Sequence, residues 1–356
     1  MSPNTSNRSQ QILIESILYK QFIKYTDLDR ILNQDVLFRH RTIPDLNIYI
    51  DMYQMIISIY RFQNIENPLS IASCILNMAI HYKHYIKYRF HVNSHVFIMY
   101  SPTMSTNNTR FIAGYNKSYT NRIMNNPTIH DIVTKNIKIM ELITKYMRNI
   151  YFKAGTVEVS VMINEQIERF QRNRYEPVNL IITSSQYAFQ LPSIHKNTVL
   201  LFKKSDKDGN DLSYMVTYEN CIQKYIEEIK KVTIEDLNMP PEFMSAFMIL
   251  SGIPKRNVKS LFSYKEALKI ISGLTSHRNL VSNLSNRLKE LEINKVSDEV
   301  LTGMYSCVDL SYQTILYKYL PESQVRSYLQ QLEDNETLNR INEECFASNP
   351  IALSKL

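Results

Sequence analysis

Hydrophobic and polar positions along this chain follow two rhythms. Short apolar runs at 48–50, 96–100 and 179–183 have the length and composition of buried strands. Longer stretches between them repeat apolar residues three and four apart, the spacing of one helix face. These are 52–62, 69–90 with Ile71, Cys74, Ile75, Met78 and Ile80 inward, a helix opening at 128 or 130 and running to about 151, and 157–174 after Gly155. Helical spacing also marks 10–36, through Ile12, Ile14, Ile17, Leu18, Phe22 and Ile23. Strands at 198–203 and 213–217 flank a turn containing Asp208-Gly209, the signature of a hairpin. That turn lacks the downstream bidentate Glu of a calcium loop. From 218 to 338 the pattern is helical, broken at Pro240-Pro241, at Gly252-Ile253-Pro254 and near Pro321. Strands alternating with helices and then giving way to helices predict an α/β fold. The expected architecture is a central, mostly parallel sheet flanked by helices, with a helical C-terminal region. The expected boundaries are 1–44, 45–217 and 218–356.

Composition narrows the class. Of 356 residues, 44% are hydrophobic and 21% charged, as in a folded protein rather than a disordered one. No apolar run approaches the roughly 18 residues of a membrane span, and residues 1–11 lack the apolar core of a signal peptide. The four cysteines are scattered, without CxxC spacing, which points to a reducing, cytoplasmic setting and away from structural zinc. A net charge of +7 permits a polyanionic partner without requiring one. The 24 tyrosines and the wealth of Ile, Asn and Lys fit coding in an AT-rich genome, such as that of a virus, so the aromatic-basic content carries little weight as a nucleic-acid signal. There is no Gly-rich phosphate loop, dinucleotide fingerprint or nucleophile elbow. His81, His84, His91 and His95 cluster without a thiol or a converging ligand set.

One residue stands out chemically. The run 48–50 ends on Asp51 and passes directly into a helix. The C-terminal end of a parallel strand is where α/β proteins place ligand and metal chemistry. Asp51 is therefore the first carboxylate of a candidate site, or a plain helix N-cap. The polar loop 103–126 that follows the second strand carries Arg110, Lys117 and Arg122, a basic patch or a solvated loop.

Taken in order, these segments resemble the flap endonuclease/5′-nuclease family, which has a PIN-like α/β core, over about 45–275. IYIDMYQMIISIY matches the family's first strand and its acid, Asp51. The second strand of the family also ends on an aspartate, where this chain has Tyr100 or Ser101. The loop with Arg110, Lys117 and Arg122 resembles the arch that clamps single-stranded DNA. Gly155-Thr156-Val157-Glu158-Val159-Ser160-Val161 resembles Gly-x-Glu-Ala-Asp-Asp, with Glu158 kept and both aspartates replaced. The Thr-x-Asp-x-Asp-x-x-Gln-Leu segment survives as Thr183, Gln190 and Leu191, with Ser185 and Tyr187 at the acid positions. The glycine-rich clamp is represented by 252–262. There Arg256 replaces an acid, the later glycines are absent, and Lys255 and Lys259 add charge.

The resemblance implies magnesium or manganese in an active member. Two-metal phosphodiester hydrolysis needs clustered carboxylates to activate water and stabilise both oxygens of an in-line displacement. Asp51 and Glu158 alone would hold at most one ion, weakly, so the expectation is a pseudo-nuclease with no cofactor. Its role would be binding or structural, with a protein partner in a viral, replication or transcription assembly, or with DNA or RNA through Arg110, Lys117, Arg122, Lys255, Arg256 and Lys259. Two alternatives stand beside it. One is an active enzyme recruiting Asp45, Asp131 or Glu141 as replacement ligands. The other is an unrelated helical interaction module.

Overall fold

The structure is a computed structural model, and it describes residues 45–101, 126–155, 157–205, 211–234, 237–254 and 258–318. The helices expected over 10–36, the basic loop, the hairpin turn at 206–210 and everything past 318 lie outside the described residues. The element order is β1 (Leu46–Asp51), α1 (Met52–Gln63), α2 (Pro68–Phe90), β2 (Ser94–Tyr100), α3 (Pro127–Thr144), β3 (Ile150–Ala154), α4 (Val159–Arg172) and β4 (Val178–Thr183). A single-turn 3-10 helix (Gln186–Phe189) then runs into α5 (Gln190–Ile194), followed by β5 (Thr198–Ser205) and β6 (Asp211–Val216). The helical part comprises α6 (Cys221–Lys230), α7 (Met244–Ser251), α8 (Tyr264–Ile271), α9 (Leu280–Glu290), α10 (Asp298–Val308) and α11 (Leu310–Lys318).

The strands form one sheet in the order β3-β2-β1-β4-β5-β6. The first five are parallel, and β6 pairs antiparallel with β5. The three strands expected to end at Asp51, Tyr100 and Thr183 are neighbours, as β2-β1-β4. From β1 the chain travels outward through β2 and β3, then crosses back to β4 on the other flank. That reversal places the topological switch point at the C-terminal ends of β1 and β4, where doubly wound sheets place their sites.

Period-two alternation divides the sheet between two cores. Ile48, Ile50, Val96, Ile98, Leu180 and Ile182 face one layer, built with α1, α2 and α3. Tyr49, Phe97, Met99, Ile181, Leu200 and Phe202 face the other, with α4 and the helices from α6 to α10. This second cluster runs unbroken from Tyr49 through Tyr225 and Phe247 to Leu284 and Leu310, so the C-terminal helices are built onto the sheet. Asp51 and Thr183 follow Tyr49 and Ile181 by two residues and share that face.

Local sequence accounts for the boundaries. Asn67 and Asn126 cap α2 and α3 through their side-chain oxygens, each with proline at the first turn. Ser263 and Glu266 form a capping box at α8. One sequence expectation fails: the helix read as far as 151 ends at Thr144, and Ile150–Ala154 is the edge strand β3. The segment 145–149 reaches Asn149 in the left-handed region, at φ 63°. Asparagine tolerates that conformation, which ends the helical path and turns the chain alongside β2. The β-branched and aromatic residues Ile150, Tyr151 and Phe152 then suit a strand. The short helix α5 was also not anticipated.

Candidate functional site

Asp51 and Glu158 come to the switch point from different elements. Asp51 is the last residue of β1 and the N-cap of α1, where its Oδ1 accepts from the Gln54 amide at a long 3.5 Å. Glu158 occupies the N-cap position of α4 but makes no capping bond with its side chain. Both are buried, at 6% and 7% exposure. Burying two carboxylates is costly unless each is hydrogen-bonded, and two hydroxyls meet that need. Thr183 Oγ1 donates to Asp51 Oδ2 at 2.8 Å and accepts from the Ser185 amide at 3.1 Å. Ser185 Oγ donates to Glu158 Oε1 at 2.9 Å. The two acids are thus joined through Thr183 and Ser185, the residues that leave β4.

Other positions at which the resemblance implies an acid are packed inside the fold. Val161 is a core residue and Ser160 is buried beside it. Tyr100 and Ser101, at the end of β2, are buried at 2% and 0% exposure. Tyr187 reaches into the helical region, where its hydroxyl donates to the carbonyl of Cys307 at 3.2 Å. Gln190 does the same: its Nε2 donates to the Val308 carbonyl at 2.9 Å, and its Oε1 accepts from the Leu310 amide at 3.1 Å. The strand-to-helix frame after β4 has become a clasp on the α10–α11 junction.

Among the described residues no group of three or more His, Cys, Asp or Glu side chains is placed to hold a metal ion. Magnesium wants hard, charged oxygen donors in a near-octahedral shell, and two carboxylates already engaged by hydroxyls are a poor match for a pair of ions. The candidate replacement acids lie elsewhere. Asp45 precedes β1, at the opposite, N-terminal end of the strands, and accepts from Tyr175 Oη at 3.0 Å. Asp131 pairs with Lys135 one turn along α3 at 2.8 Å, and Glu141 is exposed on the same helix.

The clamp segment is only partly described. Gly252 closes α7 at φ 74°, and a Cβ there would stand 2.5 Å from the Val258 carbonyl oxygen, so the glycine is required by the reversal itself. The amides of Leu261 and Phe262 both donate to the Leu250 carbonyl, and the Phe262 ring is buried. Those amides face inward, whereas a phosphate clamp would need them turned out. Lys259 is exposed. Lys255 and Arg256, like Arg110, Lys117 and Arg122, lie outside the described residues. Thr183 and Ser185 were not singled out as functional from sequence, although hydroxyl residues two apart at a strand end were the available signal.

No family model matches the sequence, and no curated protein matches it. Solved structures do. The bacteriophage T5 D15 protein, co-crystallised with metal ions, superposes with a TM-score of 0.50 at 11% identity, over 81% of this chain and 98% of that one. The T5 D15 flap endonuclease in complex with DNA and metal ions gives 0.49 at 10% identity, over 85% and 98%. Human GEN1 in complex with Holliday junction DNA gives 0.38 at 12% identity, over 83% and 66%. At such identity the likeness speaks to the fold alone. This chain has the 5′-nuclease fold of T5 D15, carrying at its switch point an acid pair bridged by hydroxyls.

Proposed function

We propose that this protein is a catalytically inactive 5′-nuclease-like protein, whose fold serves a binding or structural role in a nucleic-acid-processing or virion assembly. The observation that carries this reading is the Asp51–Thr183–Ser185–Glu158 chain of hydrogen bonds. In it, hydroxyl donors hold the carboxylates that a metal pair would need for itself. A serine hydroxyl is neutral and neutralises no divalent charge, and its proton here is given to Glu158. The inward-facing amides of Leu261 and Phe262 extend the argument from cleavage to duplex clamping. The net charge of +7 supports contact with phosphate backbones through sequence-independent attraction.

The test is a gel-shift series on the full chain with 5′-flap, duplex and single-stranded DNA, in magnesium, at several salt concentrations. A retarded, uncut DNA whose affinity falls steeply with salt supports nucleic-acid binding. Cut substrate would overturn the reading of an inactive protein. Intact and unshifted DNA would assign the fold to protein contacts instead.

A further inference from the structure

The N-terminal ends of β2 and β3, opposite the acid pair along the strands, hold a second, independent feature. Lys83 and Lys87 lie one turn apart on α2 and project from the same helix face. The loop after α2 brings Asn93 and Ser94 to the start of β2, and the loop before β3 brings Arg148 and Asn149. These six residues line a cavity of about 190 Å³. Among the described residues, three cations and no acid line it. None of the three is within ion-pair distance of a described carboxylate.

Two details show that the cations are assembled rather than scattered. Lys83 donates its ammonium to the carbonyl of Arg148, which fixes the arginine loop against α2. Burial, and then the like charges of Arg148 and Lys87, lower the Lys83 pKa from its ordinary value. Such crowding is unfavourable in the empty protein and becomes favourable when an anion sits among the charges.

We propose that this cavity binds the phosphate groups of a small ligand. Arg148 offers a planar fork matched to phosphate oxygens, Lys83 and Lys87 offer point charges, and Asn93 and Asn149 offer neutral donors. The volume falls below the roughly 300–1,000 Å³ typical of pockets that enclose a drug-sized ligand. The phosphates are therefore what is recognised, and any attached group projects outward.

The test uses the full chain with sodium triphosphate, ATP and a short single-stranded oligonucleotide, each against sodium chloride of equal ionic strength. Calorimetry and thermal melting are the readouts. Triphosphate and ATP should bind alike and raise the melting temperature. The double variant Lys87→Ala/Arg148→Ala, which changes two exposed side chains, should weaken both by about tenfold or more, as loss of charge-assisted bonds implies. The variant Lys135→Ala/Lys145→Ala, with equal charge loss elsewhere, should leave both intact. Binding of ATP but not triphosphate, binding of the oligonucleotide alone, equal loss in both double variants, or no binding would each overturn the proposal.

Discussion

Replacing Ser185 with aspartate tests the bridged acid pair by putting back a carboxylate where a hydroxyl now sits. Ser185 Oγ is 2.9 Å from Glu158 Oε1, so an introduced carboxylate would lie within about 4 Å of a second one. At an effective dielectric near 20, two like charges at that separation repel by about 4 kcal/mol. That equals roughly three pKa units, and the pair would share a proton as a coupled unit. The folded state then binds that proton more tightly than the unfolded chain, where carboxylates titrate near 4. Stability relative to wild type therefore falls as pH rises from about 4 to about 7 and levels off above that. Urea denaturation of Ser185→Asp should show a loss of about 4 kcal/mol at pH 8, of which roughly 2–3 kcal/mol returns at pH 5. Manganese at pH 8 should also restore stability by neutralising the pair, and should leave wild type unmoved. A variant equally stable, relative to wild type, at both pH values and indifferent to manganese would show that the introduced carboxylate does not face Glu158. The bridge would then be misplaced.

Four further outcomes follow. Ser185→Ala removes the donor to a buried carboxylate and should cost about 1–3 kcal/mol in urea, with little pH dependence above pH 6. Gln190→Ala strips partners from the Val308 carbonyl and the Leu310 amide, and should cost about 2–4 kcal/mol by the same measurement. Gly252→Ala puts a Cβ against the Val258 carbonyl at positive φ, and should lower stability by about 2 kcal/mol or more. His195 is buried, and desolvation lowers its pKa to about 4; its ring bonds Asn164 Oδ1 at 2.7 Å. Its contribution is complete above pH 6.5 and is lost as pH falls toward 4, in total about 3 kcal/mol. Chemical denaturation across that range should reveal the slope, and His195→Gln should flatten it.

Much of the framework was legible because local rules and tertiary packing agree there. The apolar run before Asp51 needed only its composition and its abrupt passage into a helix to be read as a strand ending on an acid. The strands at 96–100 and 179–183 were read the same way and are its neighbours in the sheet. β3 was hidden because 145–149 gives no proline or glycine stop; the break comes from Asn149 adopting a left-handed backbone. The acid pair was legible as two residues but not as a bridged pair, since Thr183 and Ser185 acquire meaning only when β4 lies beside β1. Gln190 was visible as a surviving frame residue, while its partners Val308 and Leu310 come from the far side of the helical region. The basic cavity was less legible still. Lys83 and Lys87 announce a shared helix face, but Arg148 and Ser94 join them only through the pairing of β2 with β3.

This chain combines a 5′-nuclease fold with a buried acid pair hydrogen-bonded by hydroxyls at its switch point. The most direct measurement is incubation of the full chain with a labelled 5′-flap DNA in magnesium or manganese, beside Asp51→Ala. The account predicts intact substrate from both proteins. Metal-dependent cleavage by the wild type that disappears in Asp51→Ala would contradict it.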